Sequence, residues 1–407
     1  MLKISNLNIL NHVDTSLNQA WPALLALVIL TLGNGLLNTL TTIRLEALGT
    51  DHMIIGVISA AFYAGIILGV FLIEPFIMKI GHIKAYSSIA ALLATTSIVQ
   101  GLHFDLISWA ILRLISGCCT AGIFIIVESY LVYLSRENNR GKILSIYMIA
   151  LYCSQALGQQ LLKIDVLQQT DLFAISGFFT AISIIPISMA TTINHKIKNK
   201  SKLNIIKIWK FSTTGTITCF IGGVLQGSIN LIFPAFLHDI NYNLSGIANI
   251  MFMTIMGGML LQYPVGYALD KMTKSTLLLI VAICTLVNSY ALSYFAFSTY
   301  NNIFMLLSFL LGGLTFSTYT IGISIATENI NKDDSIAIVK GMLLSYSVGA
   351  TIGPLTAPCF NSIFGKPGLL AFFCAISAVL ALVANQDRIK KRSFNEKTIE
   401  TTLCNKK

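Results

Sequence analysis

The sequence predicts an all-α integral membrane protein, with twelve transmembrane helices arranged as two pseudo-symmetric six-helix bundles. Three observations carry that prediction. First, the 407-residue chain is 55% hydrophobic and only 11% charged, with a mean hydropathy of +0.76, which excludes an ordinary soluble domain. Second, apolar stretches near the ~20 residues needed to cross hydrocarbon recur along its whole length. Third, the chain repeats itself. Glu128, Arg140-Gly141 and Leu144-Ser145 return as Glu328, Lys340-Gly341 and Leu344-Ser345 at a shift of 200. Asn34/Gln226, Gly35/Gly227, Asn38/Asn230, Gly65/Gly257 and Lys79/Lys271 pair at a shift of 192. Two homologous membrane halves facing one pathway make the architecture of a transporter.

Taken in order, segment 1 opens near Trp21. The twenty residues before it have a weakly basic start, and the apolar run is longer than a signal-peptide core, so no cleavage is expected. Segments 2 to 6 open near Met53, Ala85, Leu106, Gly141 and Asp171, with a very short turn between 3 and 4. The longest polar interruption, Thr191–Lys210, holds six lysines and no acid, and Leu203–Trp209 within it reads as a short interfacial helix. Segments 7 to 12 open near Phe211, Ser245, Thr276, Asn301, Ile336 and Gly368, with another very short turn between 9 and 10. The expected organisation is therefore an N-terminal bundle at 1–190, a basic cytoplasmic linker at 191–210, a C-terminal bundle at 211–386 and a basic tail at 387–407. The change of shift from 192 to 200 places about eight extra residues near segments 9 and 10. Segments this long and apolar exclude barrel strands.

Basic residues set the orientation. With a cytoplasmic N-terminus, 23 of the 27 Lys and Arg fall on inside segments, and only Arg44, Lys163 and Lys366 fall outside. Both termini are then expected to be cytoplasmic. The net charge of +10 gathers in the linker and tail, where anionic lipid headgroups are its partner, so nucleic acid is not implied. Eight cysteines form no C-x-x-C pair, six histidines form no local ligand motif, and no G-x-x-x-x-G-K-[ST] loop occurs. The expectation is no metal, no cofactor, no enzymatic activity and no direct ATP hydrolysis. Energy would come from a gradient, and a coupling proton or facilitated diffusion both stay open. No segment carries an acid near its middle.

The remaining basic residue, Arg113, lies inside segment 4. Even low insertion scales charge about 3 kcal/mol for an arginine at the bilayer centre, so it must face protein or a wet cavity. It either holds an anionic part of a solute, sets the protonation of a coupling site or bonds to helix carbonyls. Asn34 and Asn38 stand one turn apart on segment 1 with Thr31, and Gln226 and Asn230 repeat them on segment 7. Tyr152, Gln155 and Gln159 form one stripe on segment 5. Amides in hydrocarbon need partners. Interhelical bonding or a central cavity lined by these residues would each supply them, with Tyr63, Tyr319 and Tyr346 as rim candidates.

Three motifs carry a family resemblance. Gly266-Tyr-Ala-Leu-Asp270-Lys271-Met-Thr-Lys274 resembles the G-x-x-x-[DE]-[RK]-x-G-[RK] loop of the major facilitator superfamily, with Thr273 in place of the second glycine. Its partner, Glu74-Pro-Phe-Ile-Met78-Lys79-Ile-Gly81-His82, keeps the basic residue and the glycine but lacks the acid. Arg113-Leu-Ile-Ser-Gly117 is similar to the family's R-x-x-x-G pattern. The acid at the end of segment 4 followed by Arg-Gly looks most like the small bacterial YcaD-type transporters. Gly349-Ala-Thr-Ile-Gly353-Pro354 is similar to an antiporter signature, but it lies in segment 11 where the family carries it in segment 5. The resemblance implies alternating access, with Lys79, Glu128 and Arg140 as a first cytoplasmic latch and Asp270, Lys271, Glu328 and Lys340 as a second. It implies a monomer in a bacterial inner membrane moving a small solute, with Arg113 favouring an organic anion or carboxylate siderophore. A metabolite or drug exporter and a non-transporting receptor or scaffold are the alternatives.

Overall fold

A computed structural model describes residues 3–134, 140–164, 169–189, 212–296, 301–328 and 332–404. The linker 191–210, with its expected interfacial helix, lies outside them. The described residues contain no strand. The helices are α1 (Lys3–Ala47), α2 (His52–Ile80), α3 (His82–Leu102), α4 (Leu106–Leu134), α5 (Arg140–Gln160), α6 (Gln169–Ile182), α7 (Ile184–Ser188), α8 (Thr213–Leu231) and α9 (Phe233–Asp239). They continue as α10 (Leu244–Leu260), α11 (Gln262–Lys271), α12 (Lys274–Phe295), α13 (Asn301–Ala326), α14 (Lys332–Phe364) and α15 (Gly368–Cys404). Among the described residues nine spans are long and apolar enough to cross a membrane, and the bent pair α8–α9 makes a tenth. The more polar α5 and α14 occupy the places of segments 5 and 11.

Three breaks lie just upstream of prolines, while Pro22, Pro75, Pro354 and Pro358 lie inside continuous helices. The helix is interrupted at Ser183 before Pro186, at Ile232 before Pro234 and at Leu261 before Pro264. A proline ring clashes with the carbonyl four residues earlier and removes one donor, so the helix yields just upstream of it. At Ile232 the axis turns by 44°. Other ends are capped. Asp51 accepts from Met53 N at the start of α2, and Asp105 accepts from Ser108 N at 2.8 Å at the start of α4. Those bonds from Ser108 hold the Asp105 carboxyl below the usual carboxylate range. Between α2 and α3 the chain turns through Gly81 at φ +84°, a left-handed conformation that suits glycine. Its repeat partner Thr273 has φ −64° and hydrogen bonds Thr276 Oγ1 instead. The glycine missing from that loop motif is a turn made another way.

The chain forms two compact units. Unit 1 comprises residues 1–200 with 230–256, and unit 2 comprises 201–229 with 257–407. Within each unit, helices cross where glycines let backbones touch, as in membrane bundles generally. In unit 1 a Cβ at Gly35 would lie 2.7 Å from Gln155 O, and one at Gly158 would lie 2.4 Å from Leu32 O. In unit 2 the matching approaches are Gly227 to Ala350 O at 2.5 Å and Gly353 to Val224 O at 2.3 Å. These crossings equate α1 with α8 at a shift of 192, as the sequence suggests. They equate α5 with α14 at a shift of 195, so the match of Leu144-Ser145 to Leu344-Ser345 at 200 is one of letters rather than of structural positions. In the same register, Thr31 and Ser154, whose hydroxyls meet in unit 1, correspond to Gly223 and Gly349 in unit 2.

Candidate solute-binding site

The site is built where α2 and α4 cross. A Cβ at Gly117 would lie 1.8 Å from Phe62 O, and one at Gly65 would lie 2.0 Å from Leu114 O. Neither position has room for any other side chain. The glycine of R-x-x-x-G therefore has a direct role: it brings Arg113, one turn away, against Phe62 and Tyr63. The Arg113 guanidinium carbon sits 4.3 Å over the Phe62 ring, which supplies cation–π attraction but no hydrogen bond. Arg113 Nη2 donates to Asn38 Oδ1 at 2.9 Å. The side chain is fully buried, and its Nε and Nη1 have no hydrogen-bond partner among the described residues. No carboxylate there forms an ion pair with it. Glu128 is fifteen residues on, about 22 Å along a straight helix.

The other candidate binding residues are neutral. Asn34, one turn before Asn38 on α1, is buried with Oδ1 unpartnered. Asn230 Nδ2 donates to Tyr63 Oη at 3.3 Å. Gln159 is committed to α1: its Nε2 donates to Gly35 O at 2.9 Å, and its Oε1 accepts from Thr39 at 2.7 Å. Tyr152 and Gln155 are half-buried on α5, and Gln226 is half-buried in unit 2. Unit 1 thus holds two hydrogen-bonded pairs, Arg113–Asn38 and Asn230–Tyr63, linked through Phe62, whose ring meets Tyr63 edge-on at 5.5 Å between centroids. Phe62 went unread in the sequence, although Gly65 and Gly117 flanking it were the available signal.

At the helix ends, Lys79 and Glu128 are exposed, while the side chains of Arg140, Asp270 and Lys340 lie outside those described. Glu328 Oε1 lies 3.8 Å from Lys274 Nζ, which also donates to Ser324 O at 2.8 Å. Lys271 stands 4.4 Å over the Tyr267 ring. Lys274 ends the loop motif yet was not counted among the latch residues.

Broken, glycine-crossed helices, with a buried cation in unit 1, find their match in sequence. The profile of the Major Facilitator Superfamily matches residues 23–337 and 215–400. The chain belongs to that superfamily. It is 27% identical over 364 residues to the "Uncharacterized MFS-type transporter YcaD" of Escherichia coli O17:K52:H18 (strain UMN026 / ExPEC), covering 88% of this chain and 92% of the relative. The YcaD protein of strain K12 / DH10B is 26% identical over the same length. Among solved structures, the nucleoside transporter NupG aligns with a TM-score of 0.78 at 15% identity, covering 91% and 98% of the two chains. A D-xylose-proton symporter aligns at 0.73 and 13% identity, covering 91% and 97%. At such identities these likenesses show the fold alone. This superfamily member is a multi-pass membrane transport protein of the YcaD type.

Proposed function

We propose that the chain is an inner-membrane secondary transporter whose solute presents an anionic group, a carboxylate first among the candidates, to Arg113. One observation carries this reading. A fully buried guanidinium has, among the described residues, two nitrogens without partners, one neutral amide bond and no counter-ion. Leaving such donors unmade costs about 1–3 kcal/mol each, and more on a charged group. An oxyanion on the free edge would satisfy them and neutralise the charge. Because Arg113 is wholly enclosed, a solute reaches it only after the surrounding helices part, which is the behaviour alternating access requires. Both termini face the cytoplasm in this proposal, on the distribution of basic residues.

A second reading has its own support. Asn34, Asn38, Asn230 and Tyr63 are neutral, and the structural neighbours are titled nucleoside and xylose transporters. Under it the solute is a neutral polar molecule and Arg113 is a structural cation. A thermal-shift screen of purified protein against carboxylates, sugars and nucleosides separates the two. The first reading expects carboxylate hits, with a stabilisation of about 2.7 kcal/mol at a hundredfold excess over Kd, abolished in Arg113→Ala. Uncharged hits indifferent to Arg113 overturn it. Flux of the hit in proteoliposomes then distinguishes a transporter from a scaffold.

A further inference from the structure

Three residues far apart in sequence meet where α1 ends, α2 begins and α9 ends. Glu46 lies in the last turn of α1, His52 is the first residue of α2 and Asp239 is the last of α9. One ligand atom from each lies within 4.8 Å of the others. His52 Nδ1 is 3.5 Å from Glu46 Oε2. That is long for a hydrogen bond, yet it matches the edge of about 3.3–3.6 Å between two ligands on one tetrahedral ion with bonds of ~2.0–2.2 Å. Glu46 Oε2 is sealed from solvent and accepts no hydrogen bond from the described residues, whereas the His52 side chain is 40% exposed, which leaves an approach from solvent.

The placement on the helices points the same way. A carboxylate in the last turn of a helix faces the negative end of the dipole, and both acids stand there. Two carboxylates close together at unfavourable helix ends, beside an imidazole, are stabilised by a bound cation. Arg44 stands in the same turn of α1 as Glu46. We propose that Glu46, His52 and Asp239 bind a divalent transition-metal ion of the Zn2+ class. Imidazole with two carboxylates suits Zn2+, whereas Mg2+ and Ca2+ prefer all-oxygen shells. Three protein ligands leave a fourth position for water. The ion ties α9 to the α1–α2 turn. All three ligands lie in unit 1, so the bound ion restrains α9 against α1 and α2 within that unit.

The test uses full-length protein in detergent, stripped of metal by a chelator and titrated with Zn2+ against a chromophoric competitor. One ion per chain is expected, raising the melting temperature where Mg2+ does not. Amide exchange over 233–242 is expected to slow when Zn2+ is added. His52→Ala and Glu46→Gln should each weaken Zn2+ binding by roughly tenfold or more, and His52→Gln serves where the alanine variant melts early. Co2+ should give the absorption of a nitrogen–oxygen site. A thiolate charge-transfer band, equal Zn2+ affinity in the well-folded variants, or no Zn2+ binding by the parent protein would each overturn the proposal.

Discussion

At the scale of single residues, the informative fact about Arg113 is how little holds it. A structural arginine in a membrane helix ordinarily has carbonyls or an acid to bond. This one has Asn38 and the face of Phe62. The Asn38→Asp variant turns that difference into a measurement. It places a fixed carboxylate where the amide oxygen now accepts, so Arg113 gains an internal counter-ion. Anion-dependent stabilisation should vanish while the melting temperature of the unliganded protein holds or rises, because a paired buried charge replaces an uncompensated one. If Arg113 is only structural, ligand response survives. The sequence made Arg113 legible because a lone charge in an apolar run is rare. Asn38 was readable as polar on the right face, though not as its partner. Phe62 is signalled only indirectly, by Gly65 and Gly117, since a phenylalanine in a membrane helix is unremarkable until a glycine on the neighbouring helix aims a cation at it. Glu46, His52 and Asp239 could not be read together, because their proximity depends on where α9 ends after its proline bend and not on any local spacing.

At the scale of elements, glycines and prolines govern the fold, and the two glycine classes make opposite predictions. Gly117→Ala forces a Cβ to within 1.8 Å of the Phe62 carbonyl, a backbone atom that cannot rotate away. It should destabilise the protein by about 1–3 kcal/mol, as overpacking does, and should also displace Phe62 from Arg113, weakening ligand response. Gly266→Ala, where a Cβ meets nothing within 4 Å inside helix α11, should be neutral or stabilising by about 0.5–1 kcal/mol. Denaturant or thermal unfolding of the two variants side by side checks the pair, and equal melting points would contradict it. Segment positions were legible because hydropathy and basic loops report them directly. The breaks at Ser183, Ile232 and Leu261 followed from proline chemistry but were not drawn from the sequence. Repeat register was half legible. Matching letters give 192 for α1 and α8, as the crossings do, while for α5 and α14 the match of Glu128, Arg140-Gly141 and Leu144-Ser145 gives 200 where the crossings set 195.

At the scale of the whole molecule, a transporter must exchange two shapes that differ by little free energy, and ion pairs at helix ends can bias that exchange. The pair Lys274–Glu328 joins the start of α12 to the residues just past α13, with Lys274 also bonded to the Ser324 carbonyl. Its side chains are 22% and 35% exposed, so its worth belongs with surface pairs, about 0.2–1 kcal/mol. Glu328→Gln should therefore shift the balance between shapes by no more than about fivefold. The expected result is a modest change in transport rate with normal membrane insertion, and an effect that shrinks in high salt. Glu128→Gln is expected to slow transport on the same grounds, through the first-half latch that the family resemblance implies. A complete loss of transport in Glu128→Gln at unchanged expression would exceed what a surface pair can supply, and would mark that carboxylate as a proton carrier instead. Measuring the rate across pH distinguishes these outcomes: a latch residue lowers the rate evenly, whereas loss of a proton carrier removes the pH dependence itself.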